Sequence, residues 1–271
     1  MVNRNFLRGR ENFPGRMAGM PEQNSKATIV SMAVVACGLA VLLHEGVGHG
    51  VTAWLRGDIP TELTSNHLSS LRADKWVDAG GTLVNFVVGA LALTASPAAG
   101  SRSNLRYFLW LLASHNLLPG AGYFLYSGIF GFGDWQEVIR GLPNQAAWRV
   151  GMTIFGAALY VLVARLLAIE IRPYCLQRGT YNVVGRLPYI AACLFSCVAG
   201  LFDPLGMSLF WKSTVPAAFG GSSGMLWLDS LMPLGQVERE CVVRRQVGWW
   251  IFAAVFGVAY VVVLGRGIKL Q

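Results

Sequence analysis

Leu42-Leu43-His44-Glu45-Gly46-Val47-Gly48-His49-Gly50 decides how the rest of this chain is read. It occupies the second half of an apolar run that begins at Ala27. Ionisable side chains at membrane depth are costly and mark functional positions by default. Two histidines and a carboxylate this close together are out of place on a lipid-facing helix. The histidines are five residues apart in the chain. At about 100° per residue, a four-residue spacing leaves two side chains some 40° apart around a helix, and five leaves about 140°. A straight helix would turn His44 and His49 to different neighbours. A π-bulge absorbs one extra residue and occurs mostly at functional sites. Gly46 and Gly48 make such a distortion cheap. The expectation is a distorted helix that brings both imidazoles to one point. The alternative is a pair of membrane histidines satisfied by other helices, with Glu45 bonded to one of them.

A His-Glu pair followed about one turn later by a second His is the pattern by which helical zinc peptidases hold their metal. The imidazoles serve as ligands and the Glu as general base. Here the pattern is lengthened by one residue, as His-Glu-x-x-x-His.

Around this stretch, the 271 residues are 54% hydrophobic and 13% charged. Several windows exceed the ~20 apolar residues that a bilayer crossing needs. The expected class is an all-α, polytopic integral membrane helix bundle of about six spans. No alternating strand pattern is present, which argues against a β-barrel. The net charge of +8 is carried by scattered basic residues, which suits loops beside anionic lipid and not nucleic acid. The five cysteines lack metal-binding spacing. Cys193 and Cys197, one turn apart in an apolar run, read as buried, inert thiols.

Residues 1–26 form a basic polar tail. Followed by an apolar run, it imitates a signal peptide, and Val34-Val35-Ala36-Cys37 loosely resembles a lipoprotein cleavage site. The run continues past it into the His-Glu motif, so cleavage is not expected. The first span runs from Ala27 to Leu55 and is followed by a polar loop over 56–78, where His67 reads as a solvated residue. A second span begins near Ala79, with small residues at Gly80, Gly81 and Gly89 that permit close helix contact, and one polar amide, Asn85, which needs a partner or glues helices together. A third starts near Leu105 and meets Ser114-His115-Asn116-Leu117-Leu118-Pro119-Gly120 halfway. Pro119 removes a backbone donor, so a broken helix is expected, tolerable at depth only where protein or a water-filled cavity satisfies the freed groups. The apolar run resumes to Phe132 and stops at Gly133-Asp134-Trp135. Further spans are expected over 148–171, 187–202 and 248–264, with a re-entrant segment or loop over 203–235. The basic residues lean only weakly to the N-terminal side, which leaves the orientation undecided.

Helix rise places His44 about 25 Å from the start of its span, towards the far side. The second span returns from that side carrying Asn85, and the third crosses again to deliver Asp134 there. His44, Glu45, His49, Asn85 and Asp134 thus share a depth, while His115 and Asn116 lie nearer the middle, on a route to the site.

In this pattern residues 27–140 resemble the site-2 protease group of intramembrane zinc metalloproteases. The elements that carry the resemblance are His44-Glu45…His49, Gly81-Thr82-Leu83-Val84-Asn85, and Asn116-Leu117-Leu118-Pro119…Gly133-Asp134. Two features depart from that group: the extra residue between the histidines, and the long interval from Pro119 to Asp134. The resemblance implies a three-helix core over 27–140, with C-terminal transmembrane helices over 141–271. It implies one Zn2+ held by His44, His49 and Asp134, with Glu45 as general base. Asn85 or Asn116 would support the substrate strand or the oxyanion. A transmembrane protein would be the substrate and membrane lipid the surroundings, in a bacterial cytoplasmic membrane. Two other classes fit the composition: an inactive relative that binds or assembles membrane helices, and a transporter with a broken-helix site.

Overall fold

The computed structural model describes residues 23–72, 74–175, 179–234 and 240–270. Of the basic tail expected over 1–26, residues 1–22 lie outside the described residues. The protein is a helix bundle. Helix α1 (Lys26–Leu42) begins at Ser25, whose side chain accepts from the Thr28 amide. It passes without interruption into a π-helical segment, Leu43–Val51, and a last turn, α2 (Thr52–Leu55). A short hairpin follows, β1 (Pro60–Leu63) and β2 (Leu68–Ser70). Helix α3 (Lys75–Ala98) returns along the bundle and α4 (Ser103–Phe130) crosses again, leading into the short α5 (Asp134–Ile139). Helices α6 (Gln145–Ile171) and α7 (Leu187–Gly200) follow. Between residues 206 and 231 lies a chain of short turns that includes α8 (Gly206–Leu209) and α9 (Val215–Gly220). The apolar α10 (Val247–Val263) and the strand β3 (Ile268–Lys269) end the described chain.

Among the described residues four helices are long and apolar enough to cross a membrane: Lys26–Leu55, Lys75–Ala98, Gln145–Tyr174 and Asn182–Gly200. Large apolar side chains face outward along them, among them Leu83, Val87, Leu91, Ile154 and Leu194. Such an outward apolar face is the one a membrane-crossing helix presents to lipid. The interior is filled by Trp110, Tyr107, Leu111, Ile29 and Leu167, all nearly inaccessible. The Trp110 indole donates to the Leu167 carbonyl and the Tyr107 hydroxyl to that of Val184, which settles the polar handles of two large rings in an apolar core.

Three sequence expectations change. The strands went unseen because four, three and two residues are too few for an alternating pattern to register. β1 is the central strand, pairing antiparallel with β2 and with β3, so the described chain ends beside the 56–78 loop. Residues 206–231 make one further pass between the ends of the bundle. They run from Thr214, bonded to Asn66, past Ser222 beside His115, to Asp229, paired with Arg186. Arg244 consequently lies at the end where α1 begins, and Lys269 at the other. Third, α4 is continuous through Pro119. Neighbouring protein closes over the proline: a Cβ on Gly221 would touch its ring, and Gly120 admits the Phe86 ring.

Candidate metal centre

The five-residue spacing is accommodated by the π-helical turn, in which each amide reaches one residue further back than in an α-helix. One turn then takes in the extra residue, and His44 and His49 face the same side. Their Nε2 atoms are 3.1 Å apart. Gly48 lets this segment press onto α3, since a Cβ there would collide with the backbone of Gly80 and Gly81. Gly81 has a second duty. A Cβ on it would stand 2.5 Å from His44 Cε1 and from His49 Nε2, so only glycine leaves room for the paired rings.

Asp134 reaches the same point from the end of α4. Gly131 (φ 64) and Gly133 (φ 95) take left-handed conformations, which glycine adopts without steric cost, and they fold the chain back so that α5 starts over the histidines. Asp134 Oδ2 is 3.3 Å from His44 Nε2 and 3.6 Å from His49 Nε2. The long interval between Pro119 and Asp134 is thus taken up by the continuous α4 and this glycine turn.

The donor set fits a metal ion. The three atoms form a triangle with edges of 3.1, 3.3 and 3.6 Å. Around a tetrahedral zinc with bonds of about 2.0–2.1 Å, neighbouring ligand atoms stand about 3.3 Å apart. Among the described residues this is the one group of histidine, cysteine and carboxylate side chains with such convergence. His49 donates Nδ1–H to the Val77 carbonyl at 2.7 Å. A carbonyl can only accept, so the neutral imidazole presents the Nε2 lone pair to the centre. His44 is held by its face, stacked on Tyr123 at 4.9 Å between ring centres and 7° between planes. Asp134 Oδ2 has no hydrogen-bond partner although it is buried. Two imidazole nitrogens and a carboxylate oxygen packed around one point, with the oxygen unsatisfied, are what a cation would neutralise. Burial alone would raise the Asp134 pKa; the two imidazoles beside it outweigh that and hold it below the usual carboxylate value.

Glu45 is buried and lies just outside the triangle, its Oε2 4.0 Å from His49 Nε2. Two cavities meet at this point. The larger, about 500 Å³, has Glu45, His49 and Asp134 in one wall, β2 in another, and the aromatic end of α4 opposite α9. The smaller, about 110 Å³, lies behind, between His44, Glu45, Asn85, His115 and Ser222.

The other sequence-expected residues fall as follows. Asn85 lines the smaller cavity with its Oδ1 unpartnered. Asn116 lines neither cavity; it donates its amide to the Leu112 carbonyl one turn back and packs where Gly89 leaves space. His115 does reach the site region, with Nδ1 3.2 Å from the Ser222 hydroxyl. His67 is not the solvated residue expected: it is half buried, bonded to Thr64 and close to Glu62 and Asp203. Sequence reasoning missed Tyr123, Gly81's role and the Val77 carbonyl. Of the three only Gly81 carries a sequence signal, as the first residue of Gly81-Thr82-Leu83-Val84-Asn85. No protein-family model, curated protein or solved structure matches this chain, so the reading of the centre rests on its geometry.

Proposed function

We propose that this chain is a multi-pass intramembrane zinc metalloprotease of the site-2 type, cleaving peptide bonds of transmembrane proteins in a bacterial cytoplasmic membrane. The observation that carries the reading is the near-equilateral triangle of His44 Nε2, His49 Nε2 and Asp134 Oδ2, with Glu45 against it. Zinc held by these three residues would supply Lewis-acid activation of water at a fourth, open position.

The chain's own residues account for the remaining steps. The Val77 carbonyl and the Tyr123 ring fix the two imidazoles in place, so little reorganisation is required when charge develops. Glu45 is free of the donor triangle and accepts a proton from the attacking water. It later returns that proton to the departing amine, the role of a positioned general base and acid. The larger cavity gives a peptide room beside Glu45, His49 and Asp134, and its aromatic and aliphatic walls suit apolar side chains. Six helices crossing the membrane, α1, α3, α4, α6, α7 and α10, would surround this site with lipid on the outside.

Metal analysis of the purified chain tests the reading. Wild type should carry about one zinc per chain, as a three-residue site with an open position binds, and His49→Ala should carry none. A wild-type protein that binds no zinc at saturating supply would remove it.

A further inference from the structure

Three tyrosines line the larger cavity: Tyr123, Tyr126 and Tyr160. Two have their hydroxyls engaged. Tyr126 donates to the Lys212 carbonyl and Tyr160 to that of Gly221, each at 3.1 Å. Tyr174, Tyr181 and Tyr189, elsewhere in the bundle, also donate to backbone carbonyls. Tyr123 is different: no described residue hydrogen-bonds its hydroxyl, although its ring is packed face to face on a metal-ligand imidazole. A half-buried phenol ordinarily finds a partner for its O–H. This one borders both cavities, and Glu45 borders the same two.

We propose that Tyr123 is the residue that stabilises the oxyanion, donating its phenolic O–H to the carbonyl oxygen of the scissile bond as that oxygen becomes negative. The inference rests on the protease reading above and adds a catalytic residue to it. The hydroxyl keeps its proton throughout and supplies a hydrogen bond, so the proton balance of the reaction stays between water, Glu45 and the leaving amine. Three features favour this residue. Its hydroxyl lies on the axis of ring rotation, so the stack on His44 leaves it no freedom to swing away. It is neutral and needs no counter-ion in a poorly solvated cavity. The two asparagines that the sequence offered for the role are placed less well. Asn116 spends its amide on Leu112, and Asn85 lines the rear cavity and not the one that admits a peptide.

Oxyanion donors are preorganised for the transition state, and removing one lowers kcat by about 10²–10³. Full-length protein in proteoliposomes, with fluorescein-labelled β-casein as probe substrate, gives the test. Tyr123→Phe keeps the ring on His44 and loses only the hydroxyl. The expected result is wild-type zinc content and thermal stability, kcat down about 10²-fold and KM within about threefold. A peptide phosphinate, which mimics the tetrahedral state, should lose affinity in parallel with kcat; a merely structural tyrosine would not produce that parallel. Tyr123→Ala, which also removes the stack, should in addition lose zinc. If Tyr123→Phe turns over as fast as wild type while Glu45→Gln is inactive, the assignment to Tyr123 fails and the protease reading survives. If wild type itself cleaves nothing, both fail.

Discussion

His44 and His49 bring their Nε2 atoms to 3.1 Å although they lie five positions apart in the chain. The π-helical segment Leu43–Val51 makes this possible by adding a residue to the turn. Val47, inside it, is exposed and 43% accessible. Removing Val47 therefore deletes little core packing and leaves a four-residue spacing that an ordinary α-helix turns to one face. The Val47-deleted protein should keep zinc affinity within about tenfold, with the π-helical hydrogen bonds replaced by α-helical ones. Loss of all zinc with an intact fold would show that the wider turn itself is required.

Gly81 should tolerate no side chain. In Gly81→Ala the methyl group would stand 2.5 Å from atoms of both ligand imidazoles. The surrounding helices have little room to yield, so the rings must move apart. Zinc affinity should fall by about 10–100-fold, the usual cost of disturbing what orients a ligand. The overpacking should also lower the stability of the zinc-free protein, by about 1–3 kcal/mol. Unchanged zinc affinity would contradict the packing described for α3 against the π-helical segment.

Acid should loosen α3 at its start. Asp74 accepts from the Trp76 amide at 2.8 Å and from Arg56 Nε at 2.9 Å. Slight burial would raise its pKa, but the amide and the guanidinium outweigh that and lower it below the ordinary value. A carboxylate with a depressed folded-state pKa stabilises the fold fully above its unfolded value, near 3.9, and loses that contribution as pH falls through the lower, folded value. Asp74→Ala should cost about 1 kcal/mol at pH 7, as losing an N-cap does, and the difference from wild type should shrink as pH falls below the ordinary aspartate value. Thermal unfolding across that range measures it. A difference that does not change with pH would mean the charge is not what holds the cap.

The site was legible wherever ionisable residues interrupt apolar sequence. His44, Glu45, His49 and Asp134 stand out because ionisable side chains are rare within and beside such apolar runs, and helix rise alone puts them at one depth. Tyr123 carries no such mark, because tyrosine is also an ordinary interfacial or core residue; only its unpaired hydroxyl and its stack on His44 single it out. Pro119 misled in the opposite direction. Its missing donor reads as a break, yet Gly120 and Gly221 let α4 and its neighbours close around it. The β1–β3 pairing joins residues some two hundred apart through strands too short to show a period, and it places the end of the described chain opposite to where an even number of spans would put it.

Glu45→Gln tests the central claim most directly. The amide keeps the size and most of the hydrogen bonding of the carboxylate but cannot accept a proton from water. Purified and reconstituted with a transmembrane protein substrate, Glu45→Gln should retain wild-type zinc while cleavage falls about 10²–10⁴-fold, the usual contribution of a positioned acid or base. Cleavage at the wild-type rate by a zinc-loaded Glu45→Gln protein would contradict the account.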